Sequence, residues 1–164
     1  EPYRRQRQMC IRDREKDNAQ IEKIIRNCLI EFGGNREGLA WADPCLSKLS
    51  EEYKTEGNKY WVIVDEKDNV LGGCGIGERE IERVCELQKM YCVQEIRGTG
   101  IAKKLMNIAL EYAKKYYDTC YIETLSNMIA ANKFYQKYGF KKLDEPLIKT
   151  EHYACDVWYI KKLN

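Results

Sequence analysis

The segment that most constrains this chain is the strand-like run Val84 to Val93, which passes through a turn holding Gly98 and Gly100 into an apolar helical face. Ile101, Leu105, Ile108, Tyr112 and Tyr116 recur at the spacing of one helix face, and Thr119-Cys120-Tyr121-Ile122-Glu123-Thr124-Leu125 then returns to strand character. Strand, helix and strand in that order predict a right-handed crossover between two parallel strands. Hairpin-like pairs on either side predict antiparallel neighbours, so the sheet is expected to be mixed.

The remaining elements follow from period and punctuation. Cys10 to Arg12 reads as a short strand. Asp17 stands at an N-cap position with Gln20 three residues on, and Ile21, Ile24, Ile25, Cys28, Leu29 and Phe32 trace a helix that Gly33-Gly34 stops. Asp43-Pro44 opens a second, shorter helix, with Asp43 as its N-cap and Leu46, Leu49 and Tyr53 on one face. Tyr60 to Val64 and Val70-Leu71 flank a polar turn and predict a hairpin. The run Gly72-Gly73-Cys74-Gly75-Ile76-Gly77 lacks dinucleotide spacing and reads as a strand of little bulk, where a helix or ligand can come close. Ala130 to Tyr138 is a short helix closed by Gly139, and Phe140 to Leu143 with His152 to Ile160 make the last strand pair.

Composition narrows the function classes. A chain of 164 residues fits one domain, expected over 9–164, with residues 1–8 a poorly ordered arm or cloning remnant. Twenty-eight Lys and Arg nearly balance 26 Asp and Glu, so no strongly basic footprint for nucleic acid or an anionic membrane is present. No run approaches the roughly 20 apolar residues that span a bilayer, and the expected setting is the cytoplasm. The eight cysteines form no CxxC pair or cluster, so they read as small buried hydrophobes rather than a disulfide scaffold. One histidine rules out a multi-His metal centre, and no metal is expected.

Chemistry concentrates at Cys92-Val93-Gln94-Glu95-Ile96-Arg97-Gly98-Thr99-Gly100-Ile101-Ala102. Two glycines and a small alanine let a ligand approach the backbone, and first-turn amides with no intrahelical acceptor can face an anion. The lysine and hydroxyl residue of a P-loop are absent, so a diphosphate cradle or a tight turn remains.

The stretch Arg97-Gly98-Thr99-Gly100-Ile101-Ala102 resembles the Arg/Gln-x-x-Gly-x-Gly/Ala signature of the GCN5-related N-acetyltransferase (GNAT) superfamily, and Ala131 to Phe140 resembles its second hallmark, a helix carrying Phe-Tyr before Gly-Phe. The motifs cover about residues 86–140 and look most like small bacterial-type members. The resemblance implies an α+β, three-layer α/β/α fold with a mixed, mostly antiparallel sheet. It implies acetyl-CoA as co-substrate, its pyrophosphate on the amides of Arg97, Gly98, Thr99, Gly100, Ile101 and Ala102. Pantetheine would pair with Met90, Tyr91, Cys92 and Val93 where the central parallel strands splay, and backbone amides there would polarise the thioester carbonyl. Acetyl passes directly to a primary amine in a ternary complex, with Tyr135 protonating the departing thiolate and no cysteine nucleophile. A catalytic base is expected at Glu86, with Glu123, His152 or water as alternatives.

The family's asparagine seven residues before the motif tyrosine is replaced by Met128, so Asn127 is the candidate for that cofactor contact. Lys103 and Lys104 either assist a phosphate or stand on a solvated face. Trp41 and Tyr53 are candidates to line the acceptor pocket, whereas Tyr112, Tyr116 and Trp158 read as core. The acceptor stays open between an antibiotic, an amino acid and a peptide N-terminus, and homodimerisation, common in the family, also stays open. The rival readings are a catalytically weak acyl-CoA sensor and a nucleotide-binding module; Tyr135 favours an enzyme over the first, and the missing Walker lysine and dinucleotide spacing disfavour the second.

Overall fold

The computed structural model describes residues 10–12 and 15–164; the arm expected over residues 1–8 lies outside them. A seven-stranded sheet runs in the order β1-β2-β3-β4-β5-β7-β6. The strands are β1 Cys10–Arg12, β2 Lys59–Val64, β3 Val70–Glu78, β4 Val84–Cys92, β5 Thr119–Thr124, β6 Lys141–Leu143 and β7 Val157–Lys162. The helices are α1 Asn18–Glu31, α2 Leu49–Glu52, α3 Ile101–Ala113 and α4 Ile129–Lys137. Every neighbouring pair of strands is antiparallel except β4 and β5, which α3 connects as the expected crossover.

Alternation along β2 explains the three layers. Trp61 and Ile63 join a core with Cys74, Ile76, Leu105, Met106 and Tyr135, which α3 and α4 cover. Tyr60, Val62 and Val64 point the other way, onto Ile21, Ile25, Leu29 and Leu49 of α1 and α2. Both faces of the strand are apolar, so neither can stay in water. Burying each large side chain contributes about 1.5–3 kcal/mol.

Two expected helix caps are used otherwise. Asp17 is buried, and its carboxylate accepts from Arg12 Nε at 3.1 Å and Nη2 at 2.8 Å instead of capping α1. Gln20 Oε1 accepts from the Val70 amide at 3.0 Å, so the residues of the anticipated capping box tie α1 to β1 and β3. Charge-assisted bonds in a buried setting outweigh a local cap. Asp43 likewise caps nothing, and the helix expected after it is a 3₁₀ turn, Pro44–Ser47, followed by the single turn α2.

The glycines of β3 make room for two tyrosines. A Cβ on Gly73 would lie 2.5 Å from the Trp61 carbonyl oxygen and 2.7 Å from the Tyr60 ring, and one on Gly75 would lie 2.7 Å from Tyr60 and 2.8 Å from Tyr53. That space is therefore filled from within, by a Tyr53–Tyr60 pair with ring centroids 5.4 Å apart. The Tyr60 hydroxyl donates to the Lys89 carbonyl at 2.8 Å, and that of Tyr53 to Gln88 Oε1 at 2.7 Å. Both bonds brace a bulge: Gly73 pairs with Tyr91 but Gly75 with Gln88, so β4 carries one extra residue. Lys89, at φ 49°, absorbs the turn.

Further along, α3 stops at Ala113, short of Tyr116, and β7 begins at Val157. Asp156 accepts from the Ser126 amide at 2.8 Å and hydroxyl at 2.7 Å, which leaves His152 on a loop rather than in the last strand. Tyr112 and Tyr116 pack against the core as expected, but Trp158 is only half-buried and Tyr159 supplies the core ring.

Filling the β3 space is expected to be costly. Gly73→Ala should lower stability by about 1–3 kcal/mol, measured as the shift in urea midpoint at constant slope; an unshifted midpoint would mean the strands part without penalty.

Candidate active site

Parallel pairing between β4 and β5 lasts only for Val84–Thr119, Cys85–Cys120 and Glu86–Tyr121. Beyond Glu86 the bulge at Lys89 re-aims β4, and the two strands part. The gap opens into a mostly apolar groove of about 360 Å³. Met90, Tyr91 and Cys92 form one wall, Tyr135 of α4 another, and Arg97, Gly98 and Ala102 its far end. Seven expected site residues thus meet in one place.

At that far end Gly98 and Gly100 have φ values of 75° and 86°, a region open to glycine but strained for other residues. No atom lies within 4 Å of where a Gly98 Cβ would stand. Thr99 closes the turn through its hydroxyl to the Ile96 carbonyl at 2.5 Å. The amides of Gly98 and Gly100 donate to no backbone carbonyl among the described residues, and those of Ile101 and Ala102 belong to the unpaired first turn of α3. The Ile101 side chain is buried in the core, so only its backbone is available to a ligand. Lys103 and Lys104 stand exposed.

The Arg97 side chain is a brace. Its Nε donates to the Cys92 carbonyl at 3.0 Å, and Nη1 and Nη2 donate to Glu31 at 2.8 and 3.0 Å. These bonds fasten the glycine turn to the end of β4 and to α1, and they hold the Glu31 carboxyl below its usual range.

Two expected contacts fall outside the groove. Val93 packs between the two cores, and its amide donates to the Leu71 carbonyl at 2.9 Å, so the sheet has already taken the group that was to meet pantetheine. Asn127 donates to the Phe32 carbonyl at 2.7 Å and lines a separate surface hollow. Met128 faces the groove in its place. A nearby asparagine, Asn132, holds the turn before α4 through Nδ2 to the Leu125 and Met128 carbonyls at 2.9 and 2.8 Å.

The groove holds two phenols, Tyr91 and Tyr135, and no activated thiol. Tyr135 is 7% exposed, and burial pushes its phenol up. Among the described residues its hydroxyl carries no hydrogen bond, which leaves it free to donate. Burial also pushes the Cys92 thiol up to about 12, with Cys28 adding to the effect, so it stays protonated at neutral pH. All seven described cysteine side chains are free thiols.

Tyr91 and Met128 also line a smaller polar cavity, together with Glu86, Lys89, Glu123 and His152. Glu86 is 3% exposed; burial first, then the neighbouring Glu123, raises its carboxyl to about 7. Arg79 Nη1 stands 3.4 Å from Glu86 Oε2 but is not aligned for a hydrogen bond. Glu123, also raised by burial, accepts from the Thr150 hydroxyl at 2.7 Å and from Tyr121 at 3.1 Å. His152 Nε2 lies 2.9 Å from both oxygens of Asp43, whose other partner is Lys89 Nζ at 2.9 Å. Desolvation opposes the His152 charge, yet Asp43 outweighs it and the imidazole is shifted upward.

Gln88 and Lys89 also border a third hollow, with Asp43, Tyr53 and Arg79. Apolar groove, carboxylate cavity and polar hollow therefore follow β4 in sequence. Tyr53 borders the third hollow. Trp41 borders none of the three and is capped by the Arg26 guanidinium, 4.8 Å from its ring. Donor atoms of Glu86, Glu123 and His152 lie within 4.8 Å of one another, with Arg79 beside Glu86 and Lys89 paired to Asp43. Sequence reading missed Asp43, Lys89 and Arg79. Asp43 looked like a cap, and the two cations sit at a bulge and a strand end that only pairing reveals.

A splayed parallel pair, an anion cradle at the crossover helix and a buried tyrosine facing the groove define an acyl-CoA N-acyltransferase arrangement. Residues 56–142 match the model of the acetyltransferase (GNAT) domain, and the chain belongs to the GNAT superfamily of acyltransferases. It is 38% identical, over 90% of both chains, to the uncharacterized N-acetyltransferase YjgM of Escherichia coli K12. A GNAT-family acetyltransferase from Staphylococcus aureus Mu50 superposes with a TM-score of 0.83 at 22% identity, over 95% of this chain and 99% of that one. The yncA protein of Salmonella typhimurium, a putative acetyltransferase solved with its cofactor acetyl-CoA, gives 0.74 at 18% identity over 96% and 95%. Among the described residues no helix is long and apolar enough to cross a membrane.

The raised Glu86 carboxyl makes folding pH-dependent. The native state keeps this proton from the ordinary value of 4.5 up to about 7 while the unfolded chain loses it, so stability falls as pH rises through that window. Relative to Glu86→Gln, the wild-type urea midpoint should decline between about pH 4.5 and 7; parallel curves would place Glu86 in the normal carboxylate range.

Proposed function

We propose that the protein transfers the acetyl group of acetyl-CoA directly to a primary amine of a small molecule or peptide, within a ternary complex. The observation that carries this reading is the continuous line along β4, from unpaired amides through Tyr135 to Glu86. The residues present suit the co-substrate. Amides of Gly98, Gly100, Ile101 and Ala102 would take the pyrophosphate, held by the helix dipole as well as by hydrogen bonds. Apolar walls from Met90, Tyr91, Cys92 and Phe134 would enclose the pantetheine arm, while Arg97 keeps the turn in register. Backbone groups of β4 that β5 has released would polarise the thioester carbonyl.

Glu86 is the proton acceptor for the incoming ammonium. A carboxyl near 7 balances being ionised at neutral pH against being basic enough to take a proton. Tyr135 then gives its proton to the departing thiolate, which a buried neutral phenol is suited to do. Free thiols with raised pKa values argue against an acyl-enzyme on cysteine. Glu123 and His152 adjoin Glu86 and set the local charge rather than touch the amine first.

Tyr135→Phe should lower turnover, followed as free-thiol release above the enzyme's own thiol background, by about a hundredfold or more. Its acetyl-CoA affinity should stay near wild type, and undiminished turnover would remove Tyr135 from the chemistry. In Glu86→Gln the acid limb of the pH–rate profile, expected near 7, should disappear; a retained limb would assign the base to another group or to water. A protein that binds acetyl-CoA but acetylates no amine would instead be a sensor.

A further inference from the structure

We propose that Arg79 anchors a carboxylate on the acceptor, and that the acceptor is a free amino acid whose ammonium meets Glu86. This rests on the transferase reading above and narrows its acceptor.

Two buried side-chain atoms lack a hydrogen-bond partner among the described residues, Arg79 Nε and Glu86 Oε2. Leaving either group unmade is costly, more so for charged groups than neutral ones, so an orphaned pair in one site calls for a ligand. The two residues are neighbours of opposite charge, with Arg79 Nη1 3.4 Å from Glu86 Oε2. Each lines a different cavity, Glu86 the one adjoining the cofactor groove and Arg79 the polar hollow beyond it. An α-amino acid carries its ammonium and carboxylate on a single carbon, which is the spacing that two adjoining opposite charges require. With the ammonium on Glu86, toward the thioester, the carboxylate falls on the Arg79 side.

Arginine suits that role because its planar fork offers parallel N–H donors to a carboxylate. The Arg79 side chain is 8% exposed, so its charge is little screened by water. Its other acidic neighbour, Glu80, is 77% exposed and stands 3.6 Å from Nη2, too far for a hydrogen bond. Lys89, the second cation of the hollow, is held by Asp43 and does not compete for the same ligand. The rim carries the exposed acids Glu52, Glu78, Glu80 and Glu151, which attract the ammonium of an arriving zwitterion while Arg79 waits inside.

The test uses the full chain and a panel of free amino acids, each paired with its carboxamide. Thiol release from acetyl-CoA gives kcat and KM, and calorimetry in the presence of CoA gives acceptor affinity. Free acids should bind and react in preference to their amides. Arg79→Gln should raise acceptor KM and Kd by about ten- to a hundredfold, with acetyl-CoA affinity near wild type, and Arg79→Lys should recover part of the loss. Amides that serve as well as acids, an acceptor KM unchanged in Arg79→Gln, or no calorimetric binding of any free amino acid would overturn the anchor while leaving the transferase reading in place. Amino acids that bind through Arg79 without thiol release would do the reverse, keeping the anchor and overturning the transfer.

Discussion

One extra residue in β4 is the constraint on which the site depends. A regular β4 would keep its parallel ladder with β5 along their shared length, and the space between the strands would close. The bulge at Lys89 ends that ladder at Glu86 and releases the backbone of the strand into a groove. Bulges weaken pairing, so this one must be supported from elsewhere. Support comes from Tyr53 and Tyr60, whose hydroxyls reach Gln88 and Lys89 across glycines that carry no side chain to block them. A glycine run that looked like room for a ligand is room for the struts that shape the ligand's groove.

Charge is arranged around the same bulge. Asp43, Lys89, His152, Glu123, Glu86 and Arg79 form a largely buried set of three acids and three bases, brought together from five separate stretches of chain. Most members are hydrogen-bonded, which is what allows ionised groups to persist away from water. Arg79 and Glu86 are the exceptions, and the effect on titration falls on Glu86. Desolvation dominates its environment, and the Arg79 charge is too poorly aligned to cancel that effect, so its carboxyl rises into the range where a base works at neutral pH.

The groove that holds the glycine turn and Tyr135 adjoins the carboxylate cavity, with Tyr91 and Met128 lining both. Arg97 braces the glycine-turn end, clamping the Cys92 carbonyl and Glu31 of α1. The arginine of the signature is therefore engaged with the protein here, and the turn it belongs to presents backbone amides instead.

Much of this was legible in the sequence because it is local. The strand, glycine turn, helix and strand over residues 84–125 announce a parallel crossover through period and punctuation alone. The Phe-Tyr and Gly-Phe pairs place Tyr135 on a helix facing the same groove. Local rules failed where a long-range partner outbid them: Asp17 and Asp43 read as helix caps, yet Arg12 in one case, and Lys89 with His152 in the other, take their carboxylates. Val93 and Asn127 are engaged in a similar way, since Leu71 and Phe32 accept from their donors. The chain by itself determined the mixed sheet, the unpaired amides of the glycine turn and the helix that carries Tyr135. Only the tertiary structure decided which buried charges meet, because a bulge set by pairing with β3 directs β4 away from β5, and no property of β4 read alone contains its partner.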